Sequence, residues 1–352
     1  PRTEYHDLPD FIREEDFLNW PDYLAQMPTM KAVQDIDALL ALQRPYLAYL
    51  SNRPYLAAQM GGDFWLDCSR DDMLGRLMRK TYNHATAFIM SNPWSLSHAR
   101  RYGMNNLVFL QAIFDEEFYS PGTSDVRKEW EQKSGGSFFV ISTARLDDWK
   151  RNDIGLDGFA RFLAKNPDAR LVLMYWGEKK ENFLSKLSGL GIEDRVIFLP
   201  FSGKAKLVEY LRGADCMIDQ FSYGNFGFTA VEAMGCGLPV ILRFVKDQYD
   251  SLYEGAPPMI YAETPEHVSK ALEKLYESKD YRKDVGQGQR TWFVENMGAR
   301  TWGERYSNLL IATALGHTFD FGNSPLTAPL TREEIEYHED QLDNAPDFPN
   351  YM

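Results

Sequence analysis

Between residues 138 and 242, short apolar runs and helical stretches alternate at near-regular spacing, which constrains the fold more than any other feature of the chain. Strands are predicted at 138–142, 170–175, 195–199, 214–219 and 239–242. Amphipathic helices are predicted at 154–165, 179–189, 204–212 and 228–234. Short apolar runs separated by helices mark βαβ units, with a parallel sheet covered on both faces and right-handed crossovers. Thr264-Pro265-Glu266 opens a further helix through an N-cap threonine and an N1 proline, and helical stretches follow near 281–296 and 300–315.

Upstream the signals are shorter. The first thirty or so residues are acidic and aromatic, broken by Pro9, Pro21 and Pro28, and read as loop and short helices. Residues 38–42 and 55–59 read as strands around a helix at 45–51; 85–90 and 107–110 read as strands around a helix at 97–102. The polar segment 121–136 closes in Ser134-Gly135-Gly136-Ser137 and reads as a domain boundary. Residues 331–352 carry seven acidic residues against one arginine and read as a solvated tail with a short helix at 332–342. The expected organisation is an N-terminal domain 1–122, a linker 123–136, a second domain 137–297, a helix within 298–330 and the tail.

The 352 residues suit two domains, and a net charge of −13 argues against nucleic acid or an anionic membrane as partner. Nothing in the sequence supports membrane-surface association: no apolar run approaches the roughly 18–20 residues of a span, and the chain opens at Pro1-Arg2-Thr3-Glu4 without a charged-then-apolar leader. Cys68, Cys216 and Cys236 show no CxxC spacing, so a reduced, cytoplasmic protein without structural zinc is expected. The six histidines form no HxxxH or HxH pair, and no metal or cofactor is expected.

Two segments carry the chemistry. In Tyr223-Gly224-Asn225-Phe226-Gly227-Phe228-Thr229-Ala230-Val231-Glu232, a Gly-rich loop runs into a helix starting near Gly227. The free N–H groups of Gly227, Phe228 and Thr229 at that end suit a phosphate. Glu232, about one turn in, can accept hydrogen bonds from a vicinal diol such as a ribose. The same letters also suit an ordinary loop–helix–strand with a solvated glutamate. The second segment, Thr143-Ala144-Arg145-Leu146-Asp147-Asp148-Trp149-Lys150, follows the first strand of the regular region. Loops at the carboxyl ends of parallel strands are where open α/β sheets place ligands, and Arg145 with Lys150 suits a pyrophosphate.

Together these residues resemble the donor-binding domain of group 1, or family 4, retaining glycosyltransferases. The matching blocks occur in family order: Arg145-Leu146 through Lys150, the strand entry at 166–173, Gly177, the run 190–199, Tyr210-Leu211-Arg212-Gly213-Ala214-Asp215, and the block from Phe226 to Val240. More loosely, 53–63, 87–90, 97–104 and 107–121 resemble the N-terminal half. The resemblance implies an α/β chain of GT-B type, two Rossmann-like domains facing a cleft, with the C-terminal helix returning to the N-terminal domain. It implies transfer of a hexose, with retention, from a UDP- or GDP-linked sugar to a hydroxyl acceptor. Arg145 and Lys150 would be catalytic, neutralising the diphosphate without a metal. Gly227, Phe228, Thr229, Glu232, Gly177 and Phe198 would bind the donor, and Gly61, Gly62, Asp63, Gly224 and Asn225 would lie on the sugar and acceptor side.

Four departures stand out. The family's second glutamate, eight residues before Glu232, is Gly224; its histidine before Gly61 is Met60; and the glycine after the loop lysine is Arg151. The family's opening βα units are not recognisable before residue 38, so the N-terminal domain is expected to be incomplete or rearranged. Two alternatives follow: a catalytically silent nucleotide-sugar-binding protein, or a GT-B epimerase-like enzyme acting on a nucleotide sugar without an external acceptor.

Overall fold

A computed structural model of the chain describes residues 28–29, 31–42, 45–59, 61–222, 224–250 and 255–319. Met60, Tyr223, the first 27 residues and the acidic tail at 331–352 with its expected helix lie outside the described residues. Two compact units divide the chain: unit 1 runs to Ala112 and resumes at Trp302, and unit 2 spans Ile113–Thr301.

Unit 1 contains a four-stranded parallel sheet in the order β1 (Leu39–Leu42), β2 (Tyr55–Ala58), β3 (Ala87–Met90), β4 (Leu107–Phe109). Leu56, Ala58, Ala87, Ile89 and Leu110 pack on Trp302, Tyr306, Leu309 and Leu310, so the late helical stretch closes this sheet. Phe88 meets Phe64 and Tyr82 at ring-centroid distances of 4.9 and 4.5 Å. Those partners lie on two helices that the sequence reading did not anticipate, α2 (Gly62–Ser69) and α3 (Met73–His84). Asp72 caps α3 by accepting a hydrogen bond from Gly75 N at 3.0 Å. The expected helix at 45–51 is α1 (Tyr46–Leu50), and that at 97–102 is α4 (Leu96–Arg101).

Unit 2 contains a six-stranded parallel sheet, order β10-β9-β8-β5-β6-β7. The central strands β5 (Phe138–Ser142) and β6 (Ala169–Met174) are buried at every residue, as a sheet covered on both faces requires. The others are β7 (Val196–Leu199), β8 (Cys216–Ile218), β9 (Val240–Leu242) and β10 (Ile260–Tyr261), the last not anticipated. All three cysteines are buried and none forms a disulfide.

The segment 123–136 is not a linker. It forms helix α5 (Val126–Ser134), ended by Gly135 at φ 62°, and belongs to unit 2, whose first residue is Ile113 rather than 137. Only Val126 and Trp130 are buried on it, four residues apart on one face. Trp130 lies 5.5 Å from the Phe139 ring and stacks on Tyr210 at 6.2 Å. Tyr210 belongs to helix α8 (Lys204–Gly213), which follows α6 (Asn152–Leu163) and α7 (Lys180–Leu190). The remaining helices are α9 (Phe228–Gly235), α10 (Asp247–Asp250), α11 (Pro265–Glu277), α12 (Lys279–Met297) and α13 (Ala299–Ala314). Among the described residues no helix is long and apolar enough to cross a membrane.

Candidate functional site

The loop leaving β5 carries both expected cations. Arg145 pairs with Asp147, and its guanidinium lies 5.7 Å from the Trp149 ring centroid. Lys150 Nζ sits 4.0 Å over the same ring and donates to Gln220 Oε1. Gln220 Nε2 in turn donates to Asn225 O and Oδ1 at 2.6 and 2.7 Å, so one buried amide ties the lysine to the loop before α9. Burial pulls the Lys150 pKa down, and Asp219 opposes that shift.

Gly177 works on this loop from below. Its φ is 122°, and a Cβ there would lie 2.6 Å from Leu146 N and O. Leu146 N donates to Trp176 O and Lys179 N donates to Leu146 O, both at 2.9 Å, so the glycine lets two loops zip together. Its place in the structure is therefore structural, through Leu146. Beyond this contact opens a cavity of about 290 Å³ lined by Asp148, Asn152, Lys179 and Lys186 among others; Lys150 and α9 do not line it.

Helix α9 begins where the sequence places it, with Gly227 as N-cap and no side-chain cap. Phe228 is 45 % exposed and meets Phe114 at 5.5 Å. Thr229 Oγ1 donates to Asp219 Oδ1 at 3.3 Å. Asp219, immediately after β8, is 1 % exposed, and its Oδ2 has no hydrogen-bond partner among the described residues. Burial raises its pKa; Lys150, Thr229 and the backbone N–H groups of Gly227 and Gln220 oppose the rise. The expected strand at 214–219 ran through Asp219 and gave it no role.

Glu232 is not solvated. It is 1 % exposed, and Oε1 accepts from Tyr119 OH at 2.9 Å and from Lys204 Nζ at 2.5 Å. Oε2 is buried without a partner among the described residues. Burial, and then the Glu232 charge, push the Tyr119 hydroxyl pKa upward. Arg290 on α12 fixes this corner by donating to the carbonyls of Tyr119, Gly235 and Glu116. The sequence assigns no site role to Tyr119 or Lys204, because they lie 113 and 28 residues from Glu232.

Phe198 is 42 % exposed on β7, edge-on to Tyr175 at 5.5 Å. Gly224 has φ 74°, and a Cβ on it would lie 2.5 Å from Val245 Cγ2, so this position cannot carry a glutamate without rebuilding. Gly61 caps α2 at φ 129° in unit 1, with Gly62 and Asp63 opening that helix. Asp35 and Asp37, a DxD by letters, also belong to unit 1. Among the described residues no group of three His, Cys, Asp or Glu is placed to hold a metal ion.

The chain is similar to several known proteins. The chain is 29 % identical over 138 residues to the mannosylfructose-phosphate synthase of Agrobacterium fabrum, covering 37 % of this chain and 30 % of that protein. It is 23 % identical over 193 residues to a D-inositol 3-phosphate glycosyltransferase of Corynebacterium aurimucosum, covering 52 % and 46 %. The matched stretches thus span less than half of these curated relatives. Among solved structures, Anabaena HepE in complex with UDP-glucose superposes with a TM-score of 0.68 at 19 % identity, covering 84 % of each chain. The sucrose-phosphate synthase of Thermosynechococcus elongatus superposes at 0.65 and 16 %, covering 86 % of this chain and 81 % of that one. The fold is of GT-B type. Residues 125–292 match the family model described as glycosyl transferases group 1.

Proposed function

We propose that the chain is a glycosyltransferase that binds a nucleotide-diphosphate sugar, UDP- or GDP-linked, in unit 2 and transfers its hexose with retention to a hydroxyl acceptor. The observation that carries this is the grouping of Lys150, the N-terminus of α9 and Glu232 at the carboxyl ends of β5 and β8. In this reading Arg145 and Lys150 neutralise the departing diphosphate, the amides of Gly227, Phe228 and Thr229 hold its distal phosphate, and Glu232 receives the ribose diol. Gly177 fixes the cationic loop, and Phe198 lies on the base side. Asn225 steers Lys150 through Gln220, while Gly61, Gly62, Asp63 and Gly224 are assigned to the sugar and acceptor side. Fixed positive charge on a leaving group is usually the largest catalytic contribution, and here protein cations and a helix N-terminus supply it. HepE, crystallised with UDP-glucose, supports the choice of donor class.

Thermal unfolding with UDP, GDP and ADP tests the donor site. A nucleotide at about 100 times its Kd adds roughly 2.7 kcal/mol of stability, and silence from all three would sink the reading. A second reading, a nucleotide-sugar binder without turnover, is favoured by the backbone at Gly224, which excludes a carboxylate side chain there. Release of free nucleotide from a radiolabelled donor in a lysate of acceptors separates the two; binding with no release selects the silent binder.

A further inference from the structure

Asp219 is a carboxyl group where the proposed function needs an anion to bind. It is buried, and its neighbours are those of an occupied anion site: the Thr229 hydroxyl, the Gly227 amide and Lys150. Gly227 has no side chain to fill the gap between the two charged groups. A Cβ placed on it would sit 3.7 Å from Lys150 Nζ and 4.0 Å from Asp219 Oδ2. A phosphate oxygen entering that gap therefore meets an ammonium on one side and Asp219 on the other. Oδ2, the oxygen facing the gap, is the one with no hydrogen-bond partner among the described residues.

Two buried anions side by side cannot both keep their charge in a low-dielectric setting; one takes up a proton. A neutral carboxylic acid then becomes a hydrogen-bond donor, which a carboxylate is not. We propose that Asp219 holds the diphosphate as a neutral acid, taking a proton from solvent as the nucleotide binds and donating it from Oδ2 to a phosphate oxygen. In the free protein its charge instead serves as the internal counter-ion of Lys150. The charged groups facing it are Lys150 and, behind Lys150, Arg145 and Asp147. Burial already moves the Asp219 pKa upward, the direction this role requires. This inference rests on the donor-site reading, and makes Asp219 a binding residue that the motif letters do not reveal.

The test compares UDP affinity in the wild type and Asp219→Asn across about pH 6 to about pH 8.5. Asparagine donates from the same place at every pH, so Kd of wild type over Kd of the variant should rise with pH, by about tenfold per pH unit where a full proton is taken up. The ionisation of UDP itself affects both proteins alike and cancels in the ratio. A flat ratio, or a variant that loses binding at every pH, overturns the proposal. Calorimetry on the wild type near pH 8, in buffers of different ionisation enthalpy, needs no variant. Net proton uptake on UDP binding is expected, and zero uptake overturns it. Absence of any nucleotide binding by the wild type would instead refute the donor-site reading.

Discussion

In unit 2 charged and amide side chains at the carboxyl ends of the strands join into networks; in unit 1 two amides near the strand ends lie buried without a side-chain partner among the described residues. Lys150, Gln220 and Asn225 form a chain, as do Tyr119, Glu232 and Lys204. The orphan atoms there include Glu232 Oε2 and Asp219 Oδ2, second oxygens of carboxyls whose first oxygen is bound, together with the hydroxyls of Thr143 and Ser222. In unit 1, Gln59 follows β2 and Gln111 lies just past β4; they are 2 % and 0 % exposed, and both polar atoms of each amide lack a hydrogen bond among the described residues. A preorganised polar network is rigid and specific. A buried amide with no partner is a cost of about 1–3 kcal/mol. Unit 2 thus joins charged side chains into networks at its strand ends, whereas unit 1 buries two amides whose side chains have no partner among the described residues.

The contrast breaks most sharply at the ligand. Lys150→Ala and Glu232→Ala should each weaken UDP binding by about 2–5 kcal/mol, the usual loss when one partner of a buried charged contact is truncated; a full UDP-induced thermal shift in both variants would place the site elsewhere. Next is Gly177→Ala, which meets the Leu146 backbone in a left-handed conformation and should lower unfolding free energy by about 3 kcal/mol in urea titrations.

Leucine substitutions sharpen the comparison itself. Gln220→Leu removes the bridge between Lys150 and Asn225 and should cost about 2 kcal/mol. Gln59→Leu and Gln111→Leu break no side-chain hydrogen bond among the described residues and should raise stability by about 1 kcal/mol each. Equal losses in all three, read by thermal unfolding, would erase the difference between the units. The smallest effect concerns the cap of α3. Asp72→Ala should cost about 1 kcal/mol at neutral pH. The hydrogen bond from Arg70 holds the Asp72 carboxyl below its usual pKa. Its contribution is therefore complete above the unfolded-state pKa and fades as pH falls through the lower folded value. Wild type and variant should converge in acid; a constant gap would count against the cap.

How much of this was legible in the sequence follows the same division. The parallel sheet of unit 2 was readable because each strand is a nearly unbroken apolar run and each connecting helix has one apolar face. The loop holding Arg145 and Lys150 and the start of α9 were readable because strand end, glycines and helix start are contiguous. The helix at Val126–Ser134 was not, since a buried face only two residues wide leaves a composition like that of a linker. Helix α2 was hidden because its buried Phe64 and Trp65 are adjacent and show no period, whereas α3, with Leu77, Met78, Thr81 and Tyr82 buried at helical spacing, was legible and was missed. Asp219 was absorbed into the end of an apolar strand. Tyr119 and Lys204 reach Glu232 across long sequence separations, which no local pattern records.

Arg290 sets a practical limit on how far the protein can be trimmed. Its guanidinium gathers the carbonyls of Glu116, Tyr119 and Gly235, and so holds the tyrosine that presents Glu232. The first and last of these four contributors, Glu116 and Arg290, bracket nearly the whole of unit 2. A fragment cut after Glu277 would retain every motif glycine, both loop cations and Glu232, yet lose the strut beneath the carboxylate. One ended at Thr301 keeps it. The smallest fragment that keeps the Glu232 network is therefore fixed by a carbonyl clamp near the C-terminus of unit 2, far from the Gly-rich loop and the loop cations.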